Sequence, residues 1–185
     1  QQELYDHYCA VAAHVDTPIV LYNIPARTGN KLLPETVCRL AKDVEVIKGA
    51  KDSSGDWENL KAYIQLTKDL DFSVLSGNDS LILPALKEGG VGGIAGCSNV
   101  YPKVLSSIYE LFQEGKLDEA QAAQDSIASF RAVFKYGNPN TVVKTAVAML
   151  GYNVGKCRAP FNQLPQEGLE ALEKVLQENK DKGMC

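Results

Sequence analysis

The sequence predicts an α/β fold of parallel βα units followed by a run of helices. Three observations carry this expectation. Short, continuous apolar runs alternate with segments of helical apolar spacing through the first hundred or so residues, about as far as Val100, as βα units require. After Pro102 only helical spacing remains. Two of the apolar runs lead directly into a reactive side chain, Tyr22 in one case and Lys51 in the other.

The elements follow in order. Residues 3–15 place Leu4, Tyr8, Val11 and Ala12 on one helical face, and 18–22 is a continuous buried-strand run. A helix through 34–40 leads to a strand at 44–50, and a helix at 57–70 to a strand at 72–76. Residues 80–88 suit a further helix and 91–96 a glycine-rich strand. The later helices are expected at 103–114, 117–136, 141–150 and 166–180, separated by Gly115, Gly137-Asn138-Pro139, Gly151 and Pro165. The architecture therefore changes near residue 115, giving an α/β part at 1–115 and a helical part at 116–185.

Composition narrows the functional classes. With 185 residues, 45% hydrophobic and 23% charged, the chain can bury a core and does not read as disordered. A formal net charge of −4 without a basic cluster argues against nucleic acid as a partner. No apolar run approaches the roughly 20 residues that span a bilayer, and no secretory leader is visible, so no membrane partner is expected and the cytoplasm is the expected location. Cys9, Cys38, Cys97, Cys157 and Cys185 are scattered without a paired motif and read as reduced thiols. His7 and His14 have no acidic or cysteine companion at ligand spacing, so no metal is expected.

Chemistry concentrates in two strand-end motifs. Gly49-Ala50-Lys51-Asp52-Ser53-Ser54-Gly55-Asp56 presents an amine that, kept neutral, is a nucleophile toward a carbonyl. Tyr22-Asn23-Ile24-Pro25-Ala26-Arg27-Thr28-Gly29 presents a phenol for proton transfer and a guanidinium whose planar fork suits a carboxylate. Lys48 is the rival nucleophile, but strand alternation points it to the face opposite Lys51. Taken singly, Tyr22 could be a core aromatic, Lys51 a solvated strand-end lysine and Arg27 half of a surface ion pair. Leu75-Ser76-Gly77-Asn78-Asp79 and the glycine-rich 89–100 segment complete the set, with Asn78 and Asp79 suited to capping the next helix. The glycines at 89–96 could also be read as a phosphate loop, although they lack its lysine-bearing order.

In this order and spacing, the motifs resemble the pyruvate-dependent class I aldolase and lyase family that contains dihydrodipicolinate synthase and N-acetylneuraminate lyase. The resemblance implies a (β/α)8 TIM barrel, of which this chain would supply the last four βα units plus a carboxyl-terminal helical extension, the amino-terminal half lying outside the sequence. It implies that Lys51 forms a Schiff base with pyruvate, with no separate cofactor, and that Tyr22 relays protons. Gly77 and Ile94 match positions whose backbone lines the pyruvate pocket. Arg27 matches the dihydrodipicolinate synthase branch and would hold the carboxylate of the second substrate, aspartate semialdehyde. The expected partners are thus a small keto acid and an aldehyde, in a protein that is a homotetramer when complete. A sister aldolase cleaving a 2-keto-3-deoxy sugar acid or 4-hydroxy-2-oxoglutarate, and an inactive half-barrel serving as a binding module, remain the alternatives. Gly155-Lys156-Cys157-Arg158-Ala159-Pro160 reads as a structural turn ahead of the last helix.

Overall fold

In the computed structural model, which describes residues 1–161 and 163–184, the first unit runs from Gln1 to Ile94. It opens with α1 (Gln2–Ala12), followed by β1 (Ile19–Asn23) and a single turn of helix, α2 (Pro25–Thr28). Then come α3 (Pro34–Asp43), β2 (Ile47–Asp52), α4 (Trp57–Thr67), β3 (Ser73–Ser76), α5 (Ile82–Glu88) and β4 (Gly92–Gly93). The four strands pair in chain order, and every neighbouring pair is parallel. A strand order that never reverses has no switch point of the doubly wound kind; it is the winding of half a (β/α)8 barrel.

Burial explains why the sheet has two unlike faces. Leu21, Ala50 and Val74 alternate onto the side packed against Val37, Leu40, Leu60, Tyr63 and Ile64, which come from α3 and α4. The valine, leucine and isoleucine side chains among them each contribute on the order of 1.5–3 kcal/mol when fully removed from water. The opposite side carries Val20 and Tyr22, which are 48% and 45% exposed. Glycine sets the spacing at two places: a Cβ on Gly49 would stand 2.5 Å from the Ser73 carbonyl oxygen, and one on Gly93 would stand 2.7 Å from Ile82 Cγ1. The glycine-rich strand therefore serves close packing of α5 on β4.

Several expected boundaries move for local reasons. The strand expected at 44–50 begins at Ile47, because Val44 still closes α3 through its N–H to the Leu40 carbonyl. It extends to Asp52, so Lys51 lies within β2. The strand expected at 91–96 is reduced to Gly92–Gly93, although Val91 and Ile94 continue bonding to Val74 and Ser76. Gly29, at φ 72°, closes the turn α2 by donating to the Pro25 carbonyl, a left-handed position that glycine takes without steric cost.

The second unit, from Ala95 onward, is helical. It contains α6 (Pro102–Gln113), α7 (Leu117–Ser126), α8 (Ala128–Ala132), α9 (Pro139–Met149) and α10 (Gln166–Asp181). The helix expected over 117–136 is interrupted after Ser126, continuing as α8 and then a 3-10 turn at Val133–Tyr136. The core of this unit contains Ile108, Ile127, Phe130, Val142 and Leu172. Phe130 meets both Tyr101 and Phe134 edge to face, with centroids 5.3 and 5.7 Å apart. Among the described residues, no helix is long and apolar enough to cross a membrane, and no group of His, Cys, Asp and Glu could hold a metal ion. Cys185 lies outside the described residues.

Candidate active site

The register of β1 against β2 pairs Tyr22 with Lys51 near the carboxyl ends of the strands. Both side chains stand on the face away from the helices, and Lys51 Nζ lies 4.2 Å from the centroid of the Tyr22 ring. From the residue after Asp52, the Ser53 hydroxyl reaches toward the Tyr22 hydroxyl at 3.5 Å. Gly77 joins them because its N–H donates to the Asp52 carbonyl oxygen at 2.7 Å. A Cβ at residue 77 would collide with Ser53 Oγ and stand 2.9 Å from Lys51 Cε. Glycine is what leaves room for both side chains.

Lys48 is differently engaged. It is the residue passed over where the β1–β2 register shifts between Ile19 and Val20, and its Nζ lies 2.8 Å from Asp71 Oδ2, ahead of β3. The Asp71 carboxylate holds the Lys48 ammonium above the usual lysine range.

The remaining expected residues are more exposed. Arg27 is exposed on α2, the turn that leaves β1. Ile94 follows β4, 49% exposed, with its N–H donating to the Ser76 carbonyl oxygen next to Gly77. The Asn78 side chain caps the turn that leads into α5 by accepting from Ser80 N–H.

Two polar features received no role in the sequence reading. One is Ser53, at the Tyr22 hydroxyl. The other lies on the helix-facing side of the sheet, where Asn23 and Asp52 follow Tyr22 and Lys51 and are each only 2% exposed. Their signal was present in the sequence: both take up core-facing positions in alternation with Leu21 and Ala50, where an apolar residue is the ordinary choice.

A parallel sheet wound in chain order, with an amine and a phenol side by side near its strand ends, is the arrangement of half a (β/α)8 barrel. The profile of the dihydrodipicolinate synthetase family matches residues 1–179, and the chain belongs to that family. It is 39% identical over 174 residues to a 4-hydroxy-tetrahydrodipicolinate synthase of Methanospirillum hungatei, an alignment covering 94% of this chain and 59% of that protein. The structure of the 4-hydroxy-tetrahydrodipicolinate synthase of Methylacidiphilum fumariolicum SolV superposes with a TM-score of 0.91 at 34% identity, covering 98% of this chain and 61% of the other. YagE of E. coli K12, a prophage protein of the dihydrodipicolinic acid synthase family solved in complex with pyruvate, gives 0.89 at 26% identity, covering 100% and 62%. The chain thus spans about three fifths of the length of these relatives.

Proposed function

We propose that this chain forms the carboxyl-terminal half of a barrel lyase that condenses pyruvate with an aldehyde through a Schiff base on Lys51. The aldehyde is aspartate semialdehyde, making the reaction that of 4-hydroxy-tetrahydrodipicolinate synthase, the name carried by the 39%-identical relative. The observation that carries this reading is the placement of Lys51 Nζ 4.2 Å from the Tyr22 ring, while Lys48 is held in its ion pair with Asp71.

The Lys51 lone pair adds to the ketone carbon of pyruvate, and the carbinolamine expels water to leave an iminium ion. Loss of a methyl proton sends its electron pair to the iminium nitrogen, and the enamine carbon then bonds to the aldehyde carbon, whose oxygen takes up a proton. The amino group brought in with the aldehyde then attacks the iminium carbon and closes a ring; its proton passes to the Lys51 nitrogen, and the carbon–Lys51 bond breaks to release the cyclic product and restore the amine. Tyr22 carries the protons, Gly77 and Ile94 line the keto acid with backbone, and Arg27 holds the carboxylate of the aldehyde. The iminium itself is the electron sink. The same reading places residues 1–115 in the barrel and 116–185 in a helical domain, in a cytoplasmic homotetramer.

Borohydride trapping with pyruvate in the full-length protein tests it. The expected result is a reduced adduct on the Lys51 peptide and none on the Lys48 side chain. No adduct on folded protein, or one on Lys48 alone, removes the reading. Turnover of a keto-deoxy sugar acid without turnover of aspartate semialdehyde keeps the Schiff base and replaces the aldehyde.

A further inference from the structure

We propose that Asp52 is a positioning residue whose buried carboxylate clamps the ends of β1 and β2, fixing the distance between Lys51 and Tyr22 on the other face of the sheet. The inference deepens the Schiff-base reading above and rests on it for its consequence in catalysis.

The carboxylate is 2% exposed, and among the described residues no cation pairs with it. Neutral donors surround it instead. Asn23 Nδ2 donates to Oδ1 at 2.8 Å and Ser54 N–H to the same oxygen at 3.0 Å; Ser54 Oγ donates to Oδ2 at 2.9 Å and Asn59 Nδ2 at 3.1 Å. These bonds occupy about the four acceptor sites a carboxylate has. The orientation of Asn23 is fixed as well, since its Oδ1 accepts from Leu32 N–H at 3.0 Å and leaves Nδ2 to face Asp52.

The clamp joins the two residues that directly follow Tyr22 and Lys51, and they are themselves register partners. Ser53 N–H donates to the Asn23 carbonyl, and Gly77 N–H to the Asp52 carbonyl, so the same cross-link reaches Ser53 and Gly77. Alternation keeps Asp52 off the substrate face, which makes its role indirect. Burial of a carboxylate carries a desolvation cost that apolar residues in its place would avoid. What the carboxylate adds is direction, because every donor around it converges on one point.

Three proteins test the clamp: Asp52→Asn, the swapped pair N23D/D52N, and Asn59→Ala, which removes one donor. Asp52→Asn keeps the shape but turns one acceptor into a donor facing other donors. Trapping at saturating pyruvate should slow by about 10²-fold, the scale of a small misplacement of reacting groups, with the half-saturating pyruvate concentration unchanged. The swapped pair restores a donor–acceptor match between residues 23 and 52 and should recover most of the lost rate.

A second readout does not depend on the chemistry. With lysines carrying 13C-methyl groups, the Lys51 signal, identified by its loss in Lys51→Arg, should show a ring-current shift from Tyr22 that shrinks in Asp52→Asn and returns in the swapped pair. A folded Asp52→Asn protein with wild-type trapping and an unchanged shift overturns the clamp. So does a folded swapped pair that recovers neither. If Asp52→Asn does not fold, Asn59→Ala decides, a several-fold slower trapping supporting the clamp and an unchanged rate and shift overturning it. A wild-type protein that traps no pyruvate, yet whose Lys51 shift depends on Asp52, overturns the lyase reading and leaves the clamp standing.

Discussion

Lys51 and Tyr22 are register partners on adjacent parallel strands, and the tyrosine ring lies beside the lysine amine with its centroid 4.2 Å from Nζ. One residue thus has two separable parts: a ring that bounds the position of the amine, and a hydroxyl directed toward Ser53.

Tyr22→Phe keeps the ring and removes the hydroxyl. Adduct formation on Lys51 should persist, while overall turnover falls by about 10²–10⁴-fold, the range of a lost general acid–base group. Tyr22→Ala should slow adduct formation as well, because the ring contact goes with the hydroxyl. Single-turnover trapping alongside steady-state turnover separates these outcomes; equal turnover in wild type and Tyr22→Phe would remove the hydroxyl from the mechanism.

Gly77→Ala tests steric room at the same place. The added methyl would meet Ser53 Oγ and Lys51 Cε, both on flexible side chains. The expected result is a folded protein with a melting temperature close to wild type and turnover lower by at least about tenfold, since small misplacements of reacting groups are costly. Gly77→Ala/Ser53→Ala should recover part of the loss by clearing the nearer of the two atoms.

The alternation of elements was legible because strands and helices here differ in the period of their apolar residues, and both chemical strand ends followed from it. The network around Asp52 was not read. Its bond from Asn23 to Asp52 joins residues 29 apart in the chain and depends on a strand register that no local pattern reports. The shortness of β4 escaped for a similar reason: strand length is set by its partner β3, which pairs only Leu75 and Ser76 with it.

Tyr63 is wholly buried in the first core, and its hydroxyl donates to the Leu32 carbonyl. Burial pushes its pKa well above the usual tyrosine range. Tyr63→Phe leaves that buried carbonyl without its donor, so denaturant unfolding should show a loss of about 1–3 kcal/mol. Because Leu32 N–H is held by Asn23, the variant should also speed amide exchange around Leu32. A variant as stable as wild type would mean that water or another donor takes the place of the hydroxyl.

The Lys31–Asp56 pair fastens the segment after β1 to the start of α4, with Nζ and Oδ2 2.9 Å apart. Asp56 also caps α4 by accepting from Asn59 N–H at 3.2 Å. Lys31 first, and then the backbone donor at Asn59, hold the Asp56 carboxyl below the usual carboxylate range. A depressed folded-state pKa means that the contribution to stability is fully present above the unfolded-state value, near about 4. It fades as pH falls through the lower folded-state value. Both side chains are substantially exposed, so the effect is small and weakened by salt. Carboxyl-carbon NMR titration should therefore find the Asp56 midpoint below that of an aspartate in the unfolded chain, and Lys31→Ala should move it upward. The shift should persist in part, because the cap donor remains. A midpoint unchanged by Lys31→Ala would assign the depression to the helix start alone and predict the same acid stability for the variant and the wild type.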